Sequence, residues 1–311
     1  ISCAMRLFRG IVIYPHAARQ MPGNFNAAHN MRARKGTPLS FIKPASAAGC
    51  AFFAPPGIYP PAGMYSPAHF IFLSFSVLAI TISLVLLMRV KKPSVLLRKI
   101  NKRLTVLLWV LEIAKIAFNL AIGNGDNPNT YVPFYYCSLV LYAGIMSSFF
   151  QGRIRHAGDV FLCTGSIVGG VCFLLMPLTS LPNYPAIHFI TFHSILLHTV
   201  MVFMGLALLI TGSVRLCLCD IIPYGIIVLA VCAAALAVNI PCGSNLMFIS
   251  RNFPGTPIEL IYNACPGILF PIVMCLGQAT LPFLAVYLLL PSKCRLKKKN
   301  CAKKRKVPDS S

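Results

Sequence analysis

The 311-residue chain is 57% hydrophobic and only 11% charged, whereas soluble domains carry about 25% charged residues. Six acidic residues stand against 28 Lys and Arg, a formal charge of +22. Such a balance excludes a water-soluble domain. Because long apolar runs separate the basic clusters, it points to a membrane rather than to nucleic acid.

Residues 1–65 read as a poorly structured basic segment. Seven cations, no acids and scattered Pro, Gly and Ala precede Met64, without a sustained helical period. The run Gly10–Tyr14 is too brief to span, and the order of regions in a signal peptide is missing. This upstream stretch reads as disordered or as foreign to the natural product. Beyond it, apolar stretches of about 20 residues predict transmembrane helices. Seven follow, at 68–89, 103–122, 133–150, 158–178, 187–211, 219–240 and 267–290. Residues 66–291 thus form one all-α domain, a polytopic seven-helix membrane bundle. Residues 292–311 are a basic tail.

Orientation follows from Lys and Arg in the short loops. Seven lie between Arg89 and Arg103, then come Arg153, Arg155 and Arg215, and nine more between Lys293 and Lys306. The alternate loops hold Arg251 alone. The pattern puts the C-terminus in the cytoplasm and the N-terminus outside, in a multi-pass protein of the cell membrane. The run Lys303–Val307 resembles a nuclear-import signal, but after seven spans it reads as an anchor against anionic lipid.

Cys137, Cys163, Cys172, Cys232 and Cys275 sit inside apolar runs, where a thiol behaves as a small hydrophobe. No Cys/His spacing suits zinc. The expectation is therefore no metal, no cofactor and no disulfide framework; Cys50 and Cys242 are a pair that would both lie outside.

Ionisable groups inside a span are costly and are candidates for function. Glu112, Lys115 and Asn119 are spaced i, i+3, i+7 and share one helix face. They form either an ion pair that locks packing or the wall of a polar cavity. The fifth span carries His188, Thr191, His193, Ser194 and His198. Thr191, Ser194 and His198 share a side, and His193 points away from His198. Hydrogen bonds between helices would account for such groups at about 1 kcal/mol each, yet three histidines in eleven residues favour a site. Cys137 opens the third span at the outer end. Asn239 closes the sixth at the same level, followed by Pro241, Gly243, Ser244 and Asn245. Spans two, three, five and six thus bring polar groups to one half of the bundle.

Four blocks in order resemble the YwaF family of bacterial integral membrane proteins, which is related to a eukaryotic transmembrane acyltransferase of ether phospholipids. They are Ser66-Pro-Ala-His69-Phe; Val132-Pro-Phe-Tyr-Tyr-Cys137-Ser-Leu; Gly169-Gly170 through Pro177 to His188-Phe and His198; and Asn239 with Gly243-Ser-Asn245-Leu-Met-Phe and Pro254. The likeness covers roughly residues 66–290. Tyr136 beside Cys137 and Leu246 after Asn245 depart from the family pattern.

The resemblance implies Cys137 as nucleophile and His198 as base. Asn239, Asn245, Glu112, Lys115, His193 and His69 then bind or support the substrate. The chemistry is coherent: a thiolate attacks a lipid ester, forms a thioester and passes the acyl group to a lysolipid hydroxyl. Asn239 or Asn245 would donate to the oxyanion. At 1.5 Å per residue, His198 lies about 6–9 Å deeper than Cys137; if tilt does not close that gap, His193 is the better base. The partners implied are membrane lipids, and not nucleic acid; nothing in the sequence marks an oligomeric state. The competing reading is a transporter or small-molecule receptor with Glu112, Lys115 and the histidines along its path.

Overall fold

A computed structural model describes residues 51–290. The described chain is helical throughout. Seven helices form the bundle: α1 (Pro67–Met88), α2 (Pro93–Ala121), α3 (Leu139–Phe149), α4 (Gly152–Leu175), α5 (Phe189–Ile210), α6 (Ile221–Cys242) and α7 (Leu269–Leu289). All but α3 are long and apolar enough to cross a membrane.

The helices are amphipathic in reverse. On α1 the buried positions are His69, Ser76, Ile80 and Leu87, while Phe70, Ile71, Phe75, Leu78, Ile82 and Leu86 are exposed. A soluble helix would bury the aromatic face. In lipid, polar groups turn inward because only protein can satisfy them. Thr199 of α5 accordingly donates to Ser76 at 2.8 Å. On α2 the buried residues Leu97, Asn101, Thr105, Leu108, Glu112 and Asn119 again mark one helical face.

Helices α4 and α5 form the centre and are mostly buried, whereas α1, α2, α6 and α7 present most of their surface outward. Helix α5 packs on α1, α2 and α4, α3 packs on α2 and α4, and α6 pairs with α7. Close approach is built with glycine. A Cβ on Gly158 of α4 would lie 2.6 Å from the Ala143 carbonyl oxygen of α3, so this crossing admits no side chain. In the middle of α4, Leu162–Ser166 forms one π-helical turn, fully buried. Such turns often accompany functional sites.

The third span differs from the expected 133–150. Its helix has 11 residues, about 16 Å long, roughly half of a hydrocarbon core of about 30 Å. Pro133 has no N–H to donate, and the chain after it runs in turns. Ser138 N bonds Tyr135 O at 2.9 Å and Leu141 N bonds Ser138 O at 3.0 Å. Irregular backbone at this depth is tolerable only inside protein, and here the loop packs on the core. Helix α2 has 29 residues, about 43 Å, beginning at Pro93 rather than 103.

Residues 51–65, taken from sequence as unstructured, pack on the bundle. Phe52 meets Phe189 edge-on, and Phe53 packs at a tilt against Phe189 and Phe118. Gly63 N donates to Leu181 O at 2.9 Å. The remainder of that segment and the basic tail lie outside the described residues. Beside the expectation of no disulfide framework, one cysteine of the described residues, Cys217, is disulfide-bonded.

At the end of the bundle where α2 begins, Arg98 makes a two-pronged bond to Asp159 of α4, at 2.7 and 2.8 Å. Ser147 of α3 donates to the same carboxylate at 2.5 Å. His156 contacts Asp220 at 2.8 Å, joining α4 to the start of α6. Asp159 is buried, and the Arg98 side chain is 33% exposed. Removing either partner strands the other. We predict that Arg98→Ala or Asp159→Asn lowers stability by about 1–3 kcal/mol, a buried-pair cost discounted for partial exposure. Arg98→Lys, without the planar fork, recovers only part. Thermal unfolding in detergent reads the effect, and an unchanged midpoint for Asp159→Asn would remove the pair from the structural account.

Candidate functional site

The other half of the bundle holds the groups singled out from sequence. Glu112, midway along α2, has no exposed surface. Its Oε1 accepts from Lys115 Nζ at 2.5 Å, one helical turn on, so the ion pair exists. It is not closed. The second oxygen, Oε2, faces His193 Nε2 of α5 at 3.4 Å. That is long for a hydrogen bond but within range of a charge contact. Asn119 donates to Lys115 O at 2.9 Å and shapes the same face.

His193 turns toward α2, away from the side of α5 that carries His198. His198 donates from Nδ1 to Ser194 O at 2.6 Å. Phe173 of α4 stacks on its ring with centroids 3.6 Å apart. Gly170 makes that crossing possible, since its Cβ would lie 2.9 Å from the His198 carbonyl oxygen. Both rings are buried, and Nε2 of His198 and Nδ1 of His193 have no hydrogen-bond partner. Because Nδ1 of His198 must carry the proton to donate, Nε2 is left as a bare lone pair.

Cys137 sits half-buried in the turns before α3. The Ser138 side chain hydrogen-bonds its sulfur, and Lys115 and Glu112 both act on it electrostatically. Lys115 and His193 act likewise on His198. Among these groups, the contact that joins two helices is that of His193 with Glu112. Tyr136, the neighbour of Cys137, holds that loop: its hydroxyl bonds the Tyr224 hydroxyl of α6 at 2.6 Å. Tyr224 in turn donates to Gln278 O of α7 at 3.0 Å. Gly169 leaves room for the Tyr136 ring, with a would-be Cβ 3.0 Å from it. In the sequence Tyr136 stands out only as a departure from the family pattern, and Tyr224, among apolar residues, draws no notice.

Asn239 and Asn245 take a different part from the oxyanion donors expected. Asn239 Nδ2 donates to Leu246 O at 3.0 Å and to Ser250 Oγ at 2.8 Å. Its Oδ1 accepts from Ser244 Oγ and from Leu246 N. With both amide hydrogens committed, it has no donor for a substrate. Asn245 Oδ1 accepts from the backbone of Ser250 and Arg251, each at 3.0 Å, and its own backbone N–H donates to Asn129 at 2.8 Å. Asn129 also accepts from Tyr135 at 3.2 Å. The loop after α6 is thereby fastened to the Cys137 loop through Asn129, a residue that sequence reasoning missed; its signal is the turn chemistry of Asn127-Pro128-Asn129.

His69 and His188 are likewise occupied. His69 Nε2 donates to Leu174 O at 2.9 Å, and Nδ1 accepts from Tyr65 N at 3.2 Å. His188 Nε2 donates to Ala54 O at 3.0 Å, and Nδ1 caps α5 by accepting from Ile190 N. Both rings join the helix ends to the segment before α1. Neither has a nitrogen left for chemistry.

A family profile, that of the TMEM164 family, matches residues 64–290. The chain belongs to the TMEM164 family. That is a family of transmembrane proteins, and the match spans the described bundle from just before α1 to the end of α7. No curated protein and no solved structure matches the chain. Membership makes this a multi-pass membrane protein and leaves its activity to the site.

Four hydrogen bonds at Asn239 set an expectation. Asn239→Ala should loosen the segment 243–256 at a cost of about 2–4 kcal/mol, since each orphaned buried partner costs about 1–3 kcal/mol. Limited proteolysis of that loop should accelerate and abundance should fall. Loss of activity at full abundance would instead make Asn239 a substrate-facing group.

Proposed function

We propose that this TMEM164-family protein is a cysteine-dependent phospholipid acyltransferase of the cell membrane. What carries this reading is the state of His198, buried and locked in one tautomer with Nε2 bare. Cys137, on the loop before α3, lies within electrostatic range of Lys115 and Glu112. The resemblance to the YwaF family and its eukaryotic ether-phospholipid relatives supports it, since it assigns the same two residues. The bare nitrogen takes the Cys137 thiol proton. The thiolate then attacks an ester carbonyl, and the expelled lysolipid oxygen recovers that proton from the imidazolium, leaving a thioester. A lysolipid hydroxyl displaces the sulfur and completes the transfer. Asn239 and Asn245 hold the wall of the site.

The buried charges of α2 favour a second reading, a transporter or small-molecule receptor with Glu112, Lys115 and His193 along its path. Intramembrane ionisable groups mark such paths too. A lipid-shaped thiol-reactive probe separates the two. We expect it to label Cys137 in the purified protein, with labelling lost in His198→Ala. Cys137→Ala and His198→Ala should each reduce acyl transfer at least about 100-fold at unchanged abundance, the scale of a general base. Loss of abundance in parallel with activity would mark both as packing residues, and an unlabelled Cys137 would favour the transporter.

The loop cations further support a cytoplasmic C-terminus and an external N-terminus. A reporter fused after Lys306 should be cytoplasmic, and one inserted near Asn183 should lie outside. Both reporting the same side would change the number of spans by one.

A further inference from the structure

We propose that Cys232 of α6 and Cys275 of α7 are a peroxide-sensitive dithiol: a hydroperoxide closes them to a disulfide that staples the two helices within the membrane. The proposal does not depend on whether Cys137 carries an acyl group.

Helices α6 and α7 run antiparallel and approach closely. Near the start of α6, the Tyr224 and Phe283 rings lie 5.9 Å apart, and Tyr224 donates to Gln278 O at 3.0 Å. A Cβ on Gly225 would lie 3.4 Å from the Ala279 carbonyl oxygen. Cys232 stands eight residues beyond Tyr224, and Cys275 eight residues before Phe283. At 1.5 Å per residue each is about 12 Å from that contact, in the same direction. The antiparallel register therefore brings the two cysteines level. Their side chains meet there, the two thiols hydrogen-bonded to each other, and neither is in a disulfide.

Packing accounts for a single cysteine at this seam, because a buried thiol serves as a small hydrophobe. It gives no reason for two in contact, where a pair of apolar residues would fill the space as well. The other sulfur contact among the described residues, Cys219 with Cys217 at 3.1 Å, stays within one loop. The contact of Cys232 with Cys275 crosses between helices, so closing it has a mechanical consequence.

The two sulfurs are not equally placed. Cys232 is buried, whereas Cys275 is half-buried, with Ile272 and Leu276 beside it exposed. On a bundle in lipid, such a surface faces acyl chains. Cys275 also lies six residues inside α7, about 9 Å from the helix end. An oxidant among the chains meets Cys275 first, and Cys232 is the resolving thiol.

The chemistry balances with a hydroperoxide alone. The Cys275 sulfur attacks the terminal peroxide oxygen and the O–O bond breaks. The departing oxygen takes the thiol proton and leaves as an alcohol, or as water from hydrogen peroxide, and a sulfenic acid stays on Cys275. The Cys232 sulfur then displaces the sulfenic hydroxyl, which leaves as water with the Cys232 proton, and the S–S bond forms. The two thiols lose two electrons and the peroxide gains them. A resolving thiol already in contact makes the second step effectively unimolecular.

The test uses the full chain in lipid nanodiscs, purified with reductant that is then removed. Phosphatidylcholine hydroperoxide is supplied in the bilayer, or hydrogen peroxide in the buffer. Peptide mass spectrometry without reduction should find α6 and α7 peptides joined through Cys232 and Cys275, and dithiothreitol should part them. Joining about tenfold faster with the lipid peroxide would assign the oxidant to the bilayer, since susceptibility follows access. Faster joining with hydrogen peroxide would assign it to water. Cys232→Ser should strand the sulfenic acid on Cys275, where dimedone captures it, and Cys275→Ser should leave Cys232 unlabelled. The joined protein should unfold at a higher temperature than the reduced one. If neither peroxide joins the pair while the exposed Cys242 is oxidised, the proposal is overturned. A cross-link from either cysteine to a different partner would overturn it as well, as would a lower unfolding temperature on joining.

Discussion

A bilayer removes the usual reason for a helix to bury its apolar face, because lipid tails are as apolar as leucine. What organises this bundle is the converse constraint: each polar group at membrane depth must find protein or stay costly. The consequences run through the fold. Ser76 and His69 turn α1 toward α5 and α4 while its phenylalanines face outward. The face of α2 with Asn101, Thr105, Glu112 and Asn119 turns inward for the same reason. Helices α4 and α5 receive these faces from both sides and so become the buried centre.

The two halves of the bundle meet the constraint differently. Where α2 begins, Arg98, Asp159 and Ser147 form a bonded cluster, reinforced by His156 and Asp220. Charge there is neutralised within short distances and fixes how α2, α3, α4 and α6 register. In the other half, the Asn239 network and the Tyr136–Tyr224 pair saturate the periphery. On α5, His193 and His198 keep bare nitrogens, and His193 faces an ion pair that reaches past its own helix.

Much of this was legible in the sequence. Uninterrupted apolar runs show the long helices plainly, since hydropathy and length are local properties. The helical spacing of Glu112, Lys115 and Asn119 places them on one face, and the density of histidine in the fifth span marks the site's second wall. What failed was what depends on tertiary contact. Pro133-Phe-Tyr-Tyr is apolar enough to read as helix, yet Tyr136 is drawn to Tyr224, far away in the chain, and the backbone follows in turns. Residues 51–65 have no period because they are held by individual contacts, among them Phe52, Phe53 and the Ala54 carbonyl. Asn239 announces itself as a polar residue at a helix end. Whether its amide hydrogens face a substrate or a loop is a question of partners five to eleven residues away, which no spacing rule encodes.

The same distinction separates the four conspicuous histidines. By hydropathy alone His69, His188, His193 and His198 look alike, each a polar ring in or beside an apolar run. Their hydrogen bonds sort them. Two use both nitrogens to fasten backbone, and their tautomers are fixed by a carbonyl on one side and an N–H on the other. His198 uses one nitrogen, and His193 leans one toward a carboxylate. A ring with both nitrogens bonded cannot accept a proton without breaking a bond that holds a helix end. A ring with an open nitrogen can accept it without breaking such a bond, at a cost in desolvation. In a membrane interior, where water is scarce as a partner, that difference in occupancy separates histidines that fasten backbone from those with a nitrogen left open.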